Sequence, residues 1–131
     1  MIPPGRPLTL DELCAQSGAS PELVRELEDF SLLAVRDGRY RAEDAMIAGV
    51  AAAFAAYGVG PRHLRSFHSA IQREAGLLEQ LLSPSLRARN PERRAVGLDE
   101  AETLAGLCAQ LTELILLRDL RRIGEHVEST T

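Results

Sequence analysis

Apolar positions recur at helical spacing along most of the chain, and the residues between the periodic stretches mark where helices start and stop. Leu10, Leu13 and Cys14 form a first short stripe, opened by Thr9 with Glu12 three residues on, the spacing of a capping box. This predicts a helix from Thr9 to Gln16, broken by Ser17-Gly18-Ala19. Ser20 then caps a second helix and Pro21 takes its first position, where a missing N–H costs nothing. Leu23, Val24, Leu27 and Phe30 are its apolar face, to about Phe30. From Leu33 to Arg41 the pattern changes to a two-strand wing around Asp37-Gly38, a pair that tolerates the positive φ of a tight hairpin.

Helical spacing resumes with Met46, Ile47, Val50, Ala53, Phe54 and Tyr57, which predicts a third helix from Ala42 to Tyr57 with Gly58 as a left-handed cap. Gly60-Pro61 opens a fourth helix to about Leu82, with Leu64, Phe67, Ile71, Leu78 and Leu81 as its inward side. Pro84 and Pro91 bracket a basic connector, Leu86 to Arg94. A last helix is expected from about Asp99 to Val127, roughly 40 Å long at ~1.5 Å per residue. The fold class expected is mainly α: a winged helix-turn-helix-like unit with a short β-hairpin, packed on two longer helices. One domain is expected over 1–131. Residues 1–7 would be a flexible lead-in, as at the end of a linker from an upstream domain. Residues 8–58 would form the winged unit and 60–128 a helical effector and dimerisation part.

Composition sharpens this picture. Apolar residues make up 45% of the 131, so a folded core is expected, while aromatics at 4% and the lack of Trp leave Leu and Ala to build it. The net charge of −4 argues against a strongly electrostatic nucleic-acid binder, although every basic residue is Arg. Cys14 and Cys108 sit on apolar faces without CxxC or Cys/His spacing and are expected as buried thiols. The start of the chain shows no secretory leader pattern, and no apolar run reaches membrane-span length, so a cytoplasmic location is expected.

Three sets of residues are candidates for function. Helix-turn-helix units read DNA from the start of the second helix, but here that helix carries Glu22, Glu26, Glu28 and Asp29 against Arg25 alone. Arg36, Arg39 and Arg41 on the wing are better placed for phosphate, so Arg25, Arg36, Arg39 and Arg41 are the DNA-contact candidates. Tyr57, Arg62, His63 and Arg65 lie at the opening of the fourth helix, where free N–H groups favour an anion; a small anionic effector or a partner's carboxylate would suit them. Leu104, Leu111, Leu114, Ile115 and Leu117 give the last helix apolar character around much of its circumference, which suits a core position or a homodimer contact. His63, His68 and His126 lack metal-ligand spacing, and no nucleophile triad, paired carboxylates or phosphate loop stands out, so neither enzyme activity nor a cofactor is expected.

Leu8-Thr9, Leu13, Ser17 to Glu28, Leu32-Leu33, Gly38 to Arg41 and Asp44 together resemble the MerR-type winged helix-turn-helix. The segment Ala55 to Phe67, with Tyr57-Gly58-Val59-Gly60-Pro61-Arg62-His63-Leu64-Arg65, is similar to the C-terminal half of an actinobacterial MerR-like regulator of the branch linked to cell-division genes. The resemblance spans roughly 8 to 127. It implies the dimerisation or effector domain of a transcriptional regulator whose DNA contact is made by an absent upstream domain. The chain departs from that pattern where Glu26 and Leu27 follow Arg25, and where the wing is cut to Asp37-Gly38. Arg25, Gly38, Tyr40 and Arg41 alone carry over, which implies a degenerate second copy of the winged unit.

Overall fold

The computed structural model describes residues 5–130 and is mainly helical, with α1 Leu10–Ser17, α2 Pro21–Asp29, α3 Ala42–Ala55, α4 Pro61–Leu86 and α5 Pro91–Thr130. The described residues form two compact units that divide inside α4, between Glu74 and Ala75. The expected lead-in at 1–7 falls partly outside the described residues; within them, Arg6 is ion-paired with Glu12.

The first unit is set by local chemistry. Thr9 Oγ1 accepts the Glu12 N–H at 3.2 Å while Glu12 Oε1 accepts the Thr9 N–H at 3.0 Å, so the capping box forms as the spacing predicts. Gly18 ends α1 at φ 77°, a conformation that a β-carbon disfavours. Ser20 Oγ accepts the Leu23 N–H and Pro21 occupies the first turn of α2. Leu13, Val24 and Leu27 are the largest fully enclosed side chains, joined by Leu8, Leu33, Tyr40 and Leu64 in one core.

The wing is where sequence and structure part. No strand forms among the described residues; two isolated bridges stand in its place. Arg36 and Arg39 exchange both backbone hydrogen bonds, at 3.0 and 2.9 Å, around Asp37 and Gly38 at φ 53° and 69°. One residue later Tyr40 leaves that pairing and exchanges bonds with Leu8 instead, at 2.7 and 2.9 Å. Arg41 is already the cap of α3, where its N–H donates to Asp44 Oδ2 at 2.9 Å. The pairing cannot lengthen because the chain on one side turns at once into a helix.

Helix α3 is shorter than expected, and its large apolar stripe faces outward. Its buried face is Ala45, Ala48 and Ala51, whereas Met46, Ile47 and Val50 point outward, Met46 and Val50 being 60% exposed. Methyl side chains let α3 lie close on α1: a β-carbon added at Gly49 would sit 3.7 Å from the Ser17 carbonyl oxygen. In α4, Leu64 is buried as expected, but Phe67, Ile71 and Leu81 are exposed.

In the second unit α4 continues to Leu86 with Pro84 inside it. Proline there removes one backbone bond in the last turn, where few would follow, so the helix survives. The expected connector shrinks to Arg87–Asn90, and α5 begins at Pro91, well before Asp99. The reason is a cap: Asn90 Oδ1 accepts the Glu92 N–H at 2.8 Å, with Pro91 in the first helical position. The two helices meet where Gly97 is buried against Ser85 and Leu82 is enclosed. Cys14 and Cys108, expected as buried, are both half-buried and free.

Candidate functional site

The second unit has almost no core of its own. Among its described residues Leu82 is the one large apolar side chain that is buried. Yet α5 runs 40 residues, about 60 Å at ~1.5 Å per residue. Within this unit α4 supplies only Ala75 to Leu86, about 18 Å at that rise, so α4 can flank only a minor part of α5 there. Its apolar residues lie open: Leu111, Leu114, Ile115 and Leu117 are exposed, Leu114 by 67%, while Leu104 and Cys108 are half-buried. This many leucines in water make an exposed apolar patch of a kind that marks interaction surfaces.

The first unit carries an apolar groove of about 580 Å³. Met46, Ile47, Val50 and Phe54 of α3 make one wall, Phe67 and Ile71 of α4 the other, with Leu27, Leu32, Ala51 and Leu64 below and His68 half-buried at the edge. The rings of Phe54 and Phe67 meet at 6.0 Å and 40°. Sequence periodicity finds these side chains and assigns Phe67 and Ile71 of α4 inward; for α3 the competing signal is the stripe of alanines at 45, 48 and 51.

The anion candidates have individual engagements. The Arg65 guanidinium lies over the Phe30 ring, 5.5 Å from its centroid, a cation–π contact. His63 Nδ1 accepts the Gly60 N–H at 3.3 Å and so caps α4 from within. Tyr57 is 88% exposed and Arg62 is exposed. Among the DNA-contact candidates, Arg25, Arg36, Arg39 and Arg41 are all exposed. Glu28, one of the four acids on α2, is engaged internally: its Oε1 accepts the Tyr40 hydroxyl at 2.5 Å, tying the end of α2 to the turn segment.

Burial, then the hydrogen bond to Glu28 and that carboxylate's charge, push the Tyr40 hydroxyl up to about 12. A raised folded value means that this stabilisation is complete below the ordinary tyrosine value near 10 and disappears as pH climbs through 12. Urea midpoints measured at pH 9 and pH 11.5 should therefore fall, and Tyr40→Phe should abolish much of the fall. The same substitution should cost about 1–3 kcal/mol at pH 7, the worth of a hydrogen bond to a charged group.

Among the described residues no three His, Cys, Asp or Glu side chains gather to hold a metal ion, and no helix is long and apolar enough to cross a membrane. A family model described as Rv1828-like, C-terminal domain matches residues 6–124. The chain is 34% identical over 110 residues to the uncharacterized HTH-type transcriptional regulator Rv1828 of Mycobacterium tuberculosis, and to the same degree to its similarly named relative Mb1859 of Mycobacterium bovis. These matches cover 82% of this chain but 44% of each relative, so the chain spans less than half of their length. On the match across 6–124, the chain belongs to the Rv1828-like C-terminal domain family.

Proposed function

We propose that the chain is the regulatory C-terminal domain of a DNA-binding transcriptional regulator and that it holds two copies together through α5. The observation that carries this reading is the long α5 with Leu111, Leu114, Ile115 and Leu117 exposed in a unit where Leu82 is the one enclosed large side chain. A second copy would cover that face, and a two-fold pair would present two upstream DNA-binding domains to a two-fold operator. The family membership and the relatives' name as HTH-type regulators support the regulatory part. The first unit is then a repurposed winged helix-turn-helix of MerR type. Its α2 keeps Glu22, Glu26 and Asp29 exposed beside Arg25, and two isolated bridges stand in place of its wing, features that favour a scaffold over a DNA reader.

Sedimentation at micromolar concentration tests it. The chain should sediment as a dimer, and Leu111→Glu combined with Leu114→Glu should shift it to monomer while leaving the helical signal intact. A monomeric wild-type chain would overturn the proposal.

A further inference from the structure

The tip where α4 turns into α5 carries a charge opposite to that of the chain as a whole. Between positions 80 and 98 stand Arg87, Arg89, Arg93 and Arg94 against Glu92 alone, in a chain of net charge −4. All four arginines are exposed. Arg87 Nη2 reaches back along α4 to Glu79 Oε1 at 3.4 Å, which leaves Arg89, Arg93 and Arg94 to define the tip, with Glu92 beside them. The next acids along α5 are Asp99 and Glu100, about a full turn or more beyond Arg94. Local electrostatics oppose this placement. Arg93 and Arg94 lie in the first turn of α5, where the positive end of the helix dipole suits an acid such as Glu92 and disfavours a cation. The arginines also repel one another, so an external anion relieves the cluster. The tip is stiff as well. Its connection is only Arg87–Asn90, Asn90 Oδ1 accepts the Glu92 N–H at 2.8 Å, and Gly97 lies close on Ser85 behind it. Little order is then lost when an anion is bound.

We infer that this tip is a contact for the phosphate backbone of duplex DNA. The charge is carried by arginine throughout, and a guanidinium fork meets two phosphate oxygens at once. From 87 to 94 there is no large apolar side chain. A protein partner needs an apolar centre to its interface, whereas a phosphate backbone needs only charge and polar groups. The wing of the first unit differs: there Arg36, Arg39 and Arg41 are interleaved with Asp37, Glu43 and Asp44. A contact of this kind fixes position on the duplex and reads no bases. It rests on the regulator reading, since a DNA-bound regulator holds this chain beside the duplex, but it does not need α5 to dimerise.

The test titrates the full chain into a labelled duplex of about 30 base pairs, read by fluorescence anisotropy between about 20 and 200 mM salt. Binding is expected at low salt, with log affinity falling against log salt at a slope of about −2.7 for each tip engaged, the value for three phosphates. Arg89→Ala, Arg93→Ala and Arg94→Ala together should lower the low-salt affinity about tenfold or more and flatten the slope, with helical signal and sedimentation unchanged. Arg36→Ala with Arg39→Ala should leave the affinity as it is. No binding at the lowest salt, or binding that the triple variant leaves unchanged, would overturn the phosphate contact. Polyglutamate that competes as well as unlabelled duplex would overturn it too, because the tip would then be a site for an acidic protein segment. A chain that sediments as a monomer and still binds through the tip would overturn the dimer reading alone.

Discussion

Leu27→Ala is expected to lower the stability of the first unit by about 2–5 kcal/mol, the cost of lost transfer energy plus the cavity left behind. Leu27 is completely enclosed on the inner face of α2, and it accepts through its carbonyl the Leu32 N–H at 2.8 Å, so it stands where α2 ends and the chain turns. A unit of 74 residues holds about 4–11 kcal/mol in all at ~0.05–0.15 kcal/mol per residue. The substitution therefore removes a large part of it. Thermal unfolding followed by circular dichroism should show a midpoint lower by more than about 10 °C. Leu27→Met, which keeps the volume, should cost less than about 1.5 kcal/mol. A loss below 1 kcal/mol for the alanine variant would mean that α2 is not seated as described.

Gly97→Leu is expected to open the second unit. A β-carbon at this position would lie 2.8 Å from Ser85 Cβ and 3.2 and 3.3 Å from Ser85 C and Leu86 N. The last two are backbone atoms and cannot swing aside. Alanine is favoured over glycine inside a helix by about 1 kcal/mol, so an open site would gain stability from Gly97→Ala. Here the clash reverses the sign, and a net loss of about 1–2 kcal/mol is expected for alanine and about 3 kcal/mol for leucine. Ser85→Gly combined with Gly97→Ala should recover part of the loss, because it removes the nearest obstacle; additive losses in a double-mutant cycle would contradict this close approach. Chemical denaturation read by helical signal at fixed protein concentration measures all four variants.

The parts of this fold that were legible in the sequence are those decided within one turn of chain. Thr9 with Glu12, Ser20 with Pro21, and Gly18 and Asp37-Gly38 at positive φ each act on neighbours three or four residues away. Two misplacements in the second unit were also local in cause. Asn90 caps α5 well before the expected start at Asp99, and Pro84, which reads as a boundary, sits in a last turn that tolerates it. The orientation of α3 is different in kind. Large side chains and alanines trace two stripes on the same helix, and which one faces inward is settled by how near α1 lies, a distance that no local pattern encodes. The groove was therefore visible as a set of residues and invisible as a surface. The apolar character of α5 around much of its circumference was present in the spacing itself, but its meaning needed the exposures.

The alanine face of α3 has a mechanical consequence. Ala45, Ala48 and Ala51 act as spacers of minimum thickness between α3 and the rest of the first unit, and the opposite side of the same helix is a wall of the groove. Replacing Ala45 or Ala48 with a bulkier residue would work as a shim, moving that wall without touching a single lining side chain. The aperture of the groove is thus a dimension held by the interior, adjustable from positions that no ligand or partner ever meets.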